Sequence, residues 1–88
     1  MVQAGLFDQP QPPVNPYKTG SQCFRIYHRL SRYQRVTNVE INMGLGGPRI
    51  MNTTGRCSSI REFLKLHGIK LHCERVRGGL FEYSIKVQ

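Results

Sequence analysis

Apolar residues recur along this chain with two periods, and the change from one to the other organises it. From Ser21, Cys23, Ile26, Tyr27 and Leu30 stand at i, i+3, i+4 and i+7, the spacing of one helical face. Ser21 is a suitable N-cap for that helix. Arg25, Arg29 and Arg32 lie off the stripe, so the helix offers an apolar face to a core and arginines to solvent or phosphate. In Val36-Thr37-Asn38-Val39-Glu40-Ile41, Thr37 and Glu40 are spaced as a capping box, and Val36 and Ile41 as a hydrophobic staple. This predicts a second helix from Asn38, closed within about two turns by Gly44, Gly46, Gly47 and Pro48.

A third helix is predicted over about 53–67. Stepping about 100° per residue, Cys57, Ile60, Phe63, Leu64 and His67 gather on one side, and Gly55, Ser58, Glu62 and Lys65 on the other. Thr54 and Arg61 fall on one flank, and Ser59 on the opposite flank. Gly68 follows in the C′ position that stops helices. The period then becomes two: Ile69 to Val76 and Leu80 to Val87 read as strands around Arg77-Gly78-Gly79, with Phe81, Tyr83, Ile85 and Val87 alternating with Glu82, Ser84 and Lys86. The expected fold class is α+β, three helices followed by a C-terminal β-hairpin, over residues 21–88. Residues 1–20 hold four of the five prolines and little to bury, which predicts a disordered tail.

Charge gives this outline a direction. The chain has 88 residues, with 13 Lys and Arg, most of them Arg, against 5 Asp and Glu. Within residues 1–20, Asp8 and Lys18 cancel, so the net charge of +8 belongs to residues 21–88. A basic, Arg-rich domain suits a polyanionic partner. Eighty-eight residues are too few for a deep catalytic cleft with a separate substrate domain, and the scattered carboxylates form no catalytic constellation, so no enzyme activity and no cofactor are expected. Cys23, Cys57 and Cys73 are odd in number and lack CxxC spacing, which argues against a disulfide framework and a zinc ribbon. Cys23 and Cys57, on apolar helical faces, are expected to be small buried hydrophobes. His28, His67 and His72 have no metal-ligand spacing, so no metal is expected. No apolar run approaches the ~20 residues that span a bilayer, and no signal peptide is legible; the expectation is a soluble, intracellular protein, without a membrane partner.

Three helices and a hairpin, carried by FRIYHRL, by VTNVEI before a glycine-bounded turn, and by GRCSSIREFLKLHGIKL leading into the hairpin, resemble the winged helix-turn-helix family, and within it the small helix-turn-helix proteins of phages and prophages. The resemblance covers about residues 21–87. It implies that the third helix enters the major groove of double-stranded DNA, in phage or prophage regulation or replication, with the hairpin as wing. A helix enters that groove, about 12 Å wide, only where its leading residues are small or reach forward. Asn52, Thr53, Thr54, Ser58 and Ser59 allow close approach, and Arg61 and Lys65 reach bases or phosphates. Arg75 and Arg77, beside a flexible Gly-Gly tip, would enter a minor groove or clamp phosphates. Arg56 lies nearer the core side; it either joins the DNA contact or packs its stem on the first helix and pairs with a carboxylate. The turn between the second and third helices, about nine residues from Gly44 to Asn52, is longer than the usual three or four. Pro48 there begins an extra turn or lengthens the third helix backwards.

Two further readings concern partners. Gln3, Leu6 and Phe7 match the short Gln-x-x-Leu-Phe peptides that dock on the bacterial sliding clamp, and the alternative function is a small phage-type module that binds a host protein. Tyr17, Tyr27, Tyr33 and Phe24 suggest single-stranded nucleic acid, although helical spacing directs most of them to the core. A core this small makes homodimerisation or stabilisation by DNA a further expectation.

Overall fold

The structure, a computed structural model, describes residues 12–87. The hydroxyl of Ser21 accepts from the Phe24 amide and starts α1, Gln22–Tyr33. Gln34 ends it in the left-handed region (φ 65°), donating its amide to the Leu30 carbonyl. The chain leaves as β1, Arg35–Thr37, a strand absent from the sequence reading. Thr37 and Glu40 form the expected capping box and open α2, Asn38–Asn42. After a loop, α3 spans Thr53–Leu66, and Gly68, with φ at 73°, turns the chain into β2, Ile69–Arg77, which the hairpin joins to β3, Leu80–Val87.

The sheet is antiparallel, in the order β1-β3-β2, with Val36 opposite Tyr83 and Cys73 opposite Tyr83 from the other side. β1 is only three residues long and shares Thr37 with the helix cap, so it has no periodicity of its own to read. Ile26, Tyr27 and Leu30 of α1 meet Cys57, Ile60 and Leu64 of α3 in one core, which Val36, Ile41, Ile50, Ile69, Leu71 and Tyr83 complete. Val36 and Ile41, the expected staple pair, are both fully buried there.

Five expectations change. Residues 13–17 pack against the fold rather than trailing from it: the Asn15 amide donates to the Phe24 carbonyl at 3.1 Å, the buried Tyr27 hydroxyl donates to the Pro13 carbonyl, and the Tyr17 ring lies 6.2 Å from those of Tyr27 and Phe63. A buried phenol needs an acceptor, and the proline segment supplies it. The Gln3, Leu6 and Phe7 peptide lies outside the described residues. Next, Arg25 is not offered to phosphate. Its guanidinium donates to the Gly44 and Pro48 carbonyls and ties the α2–α3 loop to α1. That loop carries positive φ at Gly44, Leu45 and Gly46, and a Cβ at Gly44 would come within 2.5 Å of the Gly47 and Pro48 carbonyl oxygens. Pro48 therefore neither starts an extra turn nor extends α3; it is held in a compact loop. Finally, His67 is exposed at the C-cap against the Phe63 ring, and Cys23 is only half-buried.

Burial disfavours the charged forms of the titrating core groups. It pushes the Cys57 thiol up to about 11 from 9.0, and the Tyr27 and Tyr83 phenols up to about 12 from 10.0. Above pH 9 the unfolded chain releases protons that the folded chain keeps, so stability must fall as pH rises. The thermal midpoint is expected to fall from about pH 9, the ordinary thiol value, with Cys73 labelling quickly and Cys57 only on unfolding. A midpoint level to pH 11 would contradict this.

Candidate nucleic-acid interface

α3 divides its sides between the fold and an open surface. Phe63 stacks edge-on against Tyr27 of α1 at 5.8 Å, and Arg56 donates through Nε to the Gln22 side-chain oxygen of α1 at 2.6 Å and to the Met51 carbonyl at 3.0 Å. Thr54, Ser58, Arg61 and Lys65 follow at i, i+4, i+7 and i+11 on the opposite side of the helix. Thr54, Ser58 and Lys65 are exposed and Arg61 is half-buried. Ser59 is exposed on the other flank, outside this stripe, and Glu62 is exposed at its border.

The stripe runs beside the hairpin. At the C-terminal end of α3, Arg61 and Lys65 share with Lys70 a groove of about 380 Å³ floored by Ile69 and Leu71. At its N-terminal end a groove of about 580 Å³ separates the helix from Cys73, Phe81 and Tyr83 and is walled by Asn42, Arg49 and Thr54. Three cations thus stand at one end of the stripe, and Arg49 with amide and hydroxyl groups at the other.

The start of α3 accounts for the sequence Asn52-Thr53-Thr54-Gly55. Asn52 is an N-cap in the left-handed region (φ 55°), and its side-chain oxygen accepts from the Gly55 amide at 3.3 Å. A Cβ at Gly55 would lie 2.5 Å from that side-chain amide, so a larger residue would push the cap away. The Thr53 hydroxyl donates to the Asn42 side-chain oxygen and joins the end of α2 to the start of α3. Asn52 and Thr53 are therefore committed to helix geometry, leaving Thr54 as the free small residue of the pair. Among the described residues Arg56 pairs with the Gln22 amide rather than with a carboxylate.

The hairpin tip is fixed where the sequence suggested flexibility. The Asn38 side chain donates to the Gly79 carbonyl and accepts from the Phe81 amide, both at 2.9 Å, and clamps the tip to the start of α2. Arg75 folds back through Nε to the Gly78 carbonyl at 3.1 Å. Arg77 is exposed beyond the register shift between Arg75 and Arg77. Sequence reasoning missed Asn38, Asn42 and Arg49: the first was read only as a helix start, and the others acquire a role only through their position across the groove.

Among the described residues, no group of His, Cys, Asp and Glu converges as a metal site, and no helix is long and apolar enough to cross a membrane. Comparison of the chain with protein-family models, with curated proteins and with solved structures gives no match. The local chemistry has to carry the functional reading.

Proposed function

We propose that this chain is a non-catalytic winged helix-turn-helix protein that binds double-stranded DNA, with α3 in the major groove and the β2–β3 hairpin as wing. The observation that supports the reading best is the stripe of Thr54, Ser58, Arg61 and Lys65, turned away from α1 and running beside a hairpin whose tip carries Arg75 and Arg77. Small residues admit the helix to the groove, and the cations neutralise phosphates or read guanine edges. The Asn38 clamp fixes the tip relative to the helices, so both contacts are presented as one rigid surface. Following the family resemblance, the setting is phage or prophage regulation or replication.

A salt titration of binding to random-sequence duplex tests this. Contacts from Arg61, Lys65, Arg75 and Arg77 give an expected slope of log K against log salt of about −4, and replacing Arg75 and Arg77 by Ala should flatten it by about two. A chain that binds no duplex at low salt would instead support the module that docks on a host protein.

A further inference from the structure

The outer face of α1 carries a second cationic surface, on the side of the fold away from the α3 stripe. Tyr33, the last residue of α1, is 61% exposed and is the one aromatic among the exposed large hydrophobic residues of the described part. The Arg29 and Arg32 guanidinium carbons lie 5.3 Å and 6.0 Å from its ring centroid. One helical turn and two turns back from Arg32, His28 and Phe24 stack face to face at 6.1 Å with an interplanar angle of 4°.

Two shallow grooves meet at this residue. One, of about 280 Å³, runs past Phe24, His28 and Arg32; the other, of about 510 Å³, runs past Arg35 and Thr37; Arg29 and Tyr33 wall both. Tyr33 is thus a ridge between two channels, with an exposed arginine on each side, Arg32 and Arg35. The carboxylates present are Glu40 and Glu82. Glu40 is engaged by Arg29 at 3.6 Å and by the Thr37 cap, and Arg32 and Arg35 outnumber the remaining Glu82, which leaves the surface positive.

We infer that this face binds single-stranded nucleic acid, with a base stacked on Tyr33 and the flanking phosphates on Arg32 and Arg35. An aromatic ring among arginines matches a strand that presents both base faces and phosphates, whereas a duplex keeps its base faces inside the stack. The Phe24–His28 pair supplies a further flat surface along one channel. This surface is independent of the duplex reading, because Phe24, His28, Arg32 and Tyr33 take no part in the α3 stripe or the hairpin tip.

The test is fluorescence anisotropy of a short labelled oligothymidylate, with an abasic strand of equal length and a polyglutamate competitor. Tyr33→Ala should weaken oligothymidylate binding on the order of tenfold, also in an Arg61→Ala/Lys65→Ala background, while Tyr33→Phe retains it. Abasic strand should bind as weakly to the wild type as oligothymidylate does to Tyr33→Ala, and polyglutamate should compete poorly. Equal binding of wild type and Tyr33→Ala, equal binding of abasic and thymidylate strands, or displacement by polyglutamate as effective as by unlabelled strand would each overturn the inference. Loss of duplex binding alone, with the Tyr33 dependence intact, would overturn only the duplex reading.

Discussion

Replacing Arg61 and Lys65 together by Ala is expected to weaken duplex binding about 100-fold and leave the thermal midpoint unchanged. Arg61 is half-buried, Lys65 is exposed, and neither is part of the core. Each contact of this kind is worth roughly 1 to 3 kcal/mol, so two account for about two decades of affinity. Ser58→Glu, which places a carboxylate between Thr54 and Arg61, should lower affinity in the same direction. Ser59→Glu adds the same charge on the far flank and should change affinity by no more than about twofold. Fluorescence anisotropy with a labelled duplex distinguishes the flanks. Equal losses from the two serine variants would show that α3 acts through net charge alone.

The largest stability effect is expected at Ile60. It is fully buried in the core that α1, α3 and the sheet share. Ile60→Ala removes its outer methylenes and leaves a cavity, a change that costs about 2 to 5 kcal/mol. A single core of this size seldom supplies more than about 3 to 5 kcal/mol, so the variant should be largely unfolded at 25 °C by circular dichroism. Leu66→Ala is the matched control, since Leu66 is 83% exposed on the same helix, and it should change stability by less than about 0.5 kcal/mol. A cooperative, near-wild-type unfolding curve for Ile60→Ala would mean that α3 does not anchor the core.

Much of the fold was legible because local signals agreed. The stripe Cys23, Ile26, Tyr27 and Leu30 placed α1, the Thr37–Glu40 box placed α2, Gly68 ended α3, and alternation around Gly78-Gly79 gave the hairpin. What escaped depends on partners distant along the chain. Arg25 reaches carbonyls 19 and 23 positions away, and Asn38 meets the hairpin tip 41 to 43 positions on; neither leaves a pattern in its own neighbourhood. β1 exists because the backbone of residues 35–37 lies against β3, not because those side chains alternate in a readable run. At the candidate interface, the sequence put Ser58 and Lys65 on the outer side of α3 and Thr54 and Arg61 on its flank, and in the structure the four form one stripe of which three are exposed and Arg61 is half-buried. Asn52 is taken up locally as the helix cap, while Thr53 and Arg56 form hydrogen bonds to Asn42 and Gln22 that only tertiary contact reveals.

The loop between α2 and α3 shows how length was reconciled with a fixed helix pair. Its left-handed residues are strained for Leu45, and only glycine fits at Gly44. Arg25 holds both ends of that compact turn, and the Thr53 hydroxyl closes the gap to Asn42. These contacts tie the loop to α1 and the end of α2 to the start of α3.

The most direct measurement is a two-dimensional NMR titration of the isotope-labelled chain with a short duplex at low salt. The amides of Thr54, Ser58, Arg61, Lys65 and Arg77 should shift together and saturably, while those of Phe24, His28, Arg32 and Tyr33 stay in place. Shifts confined to the α1 face, or no shifts at all, would contradict duplex recognition by α3 and the hairpin.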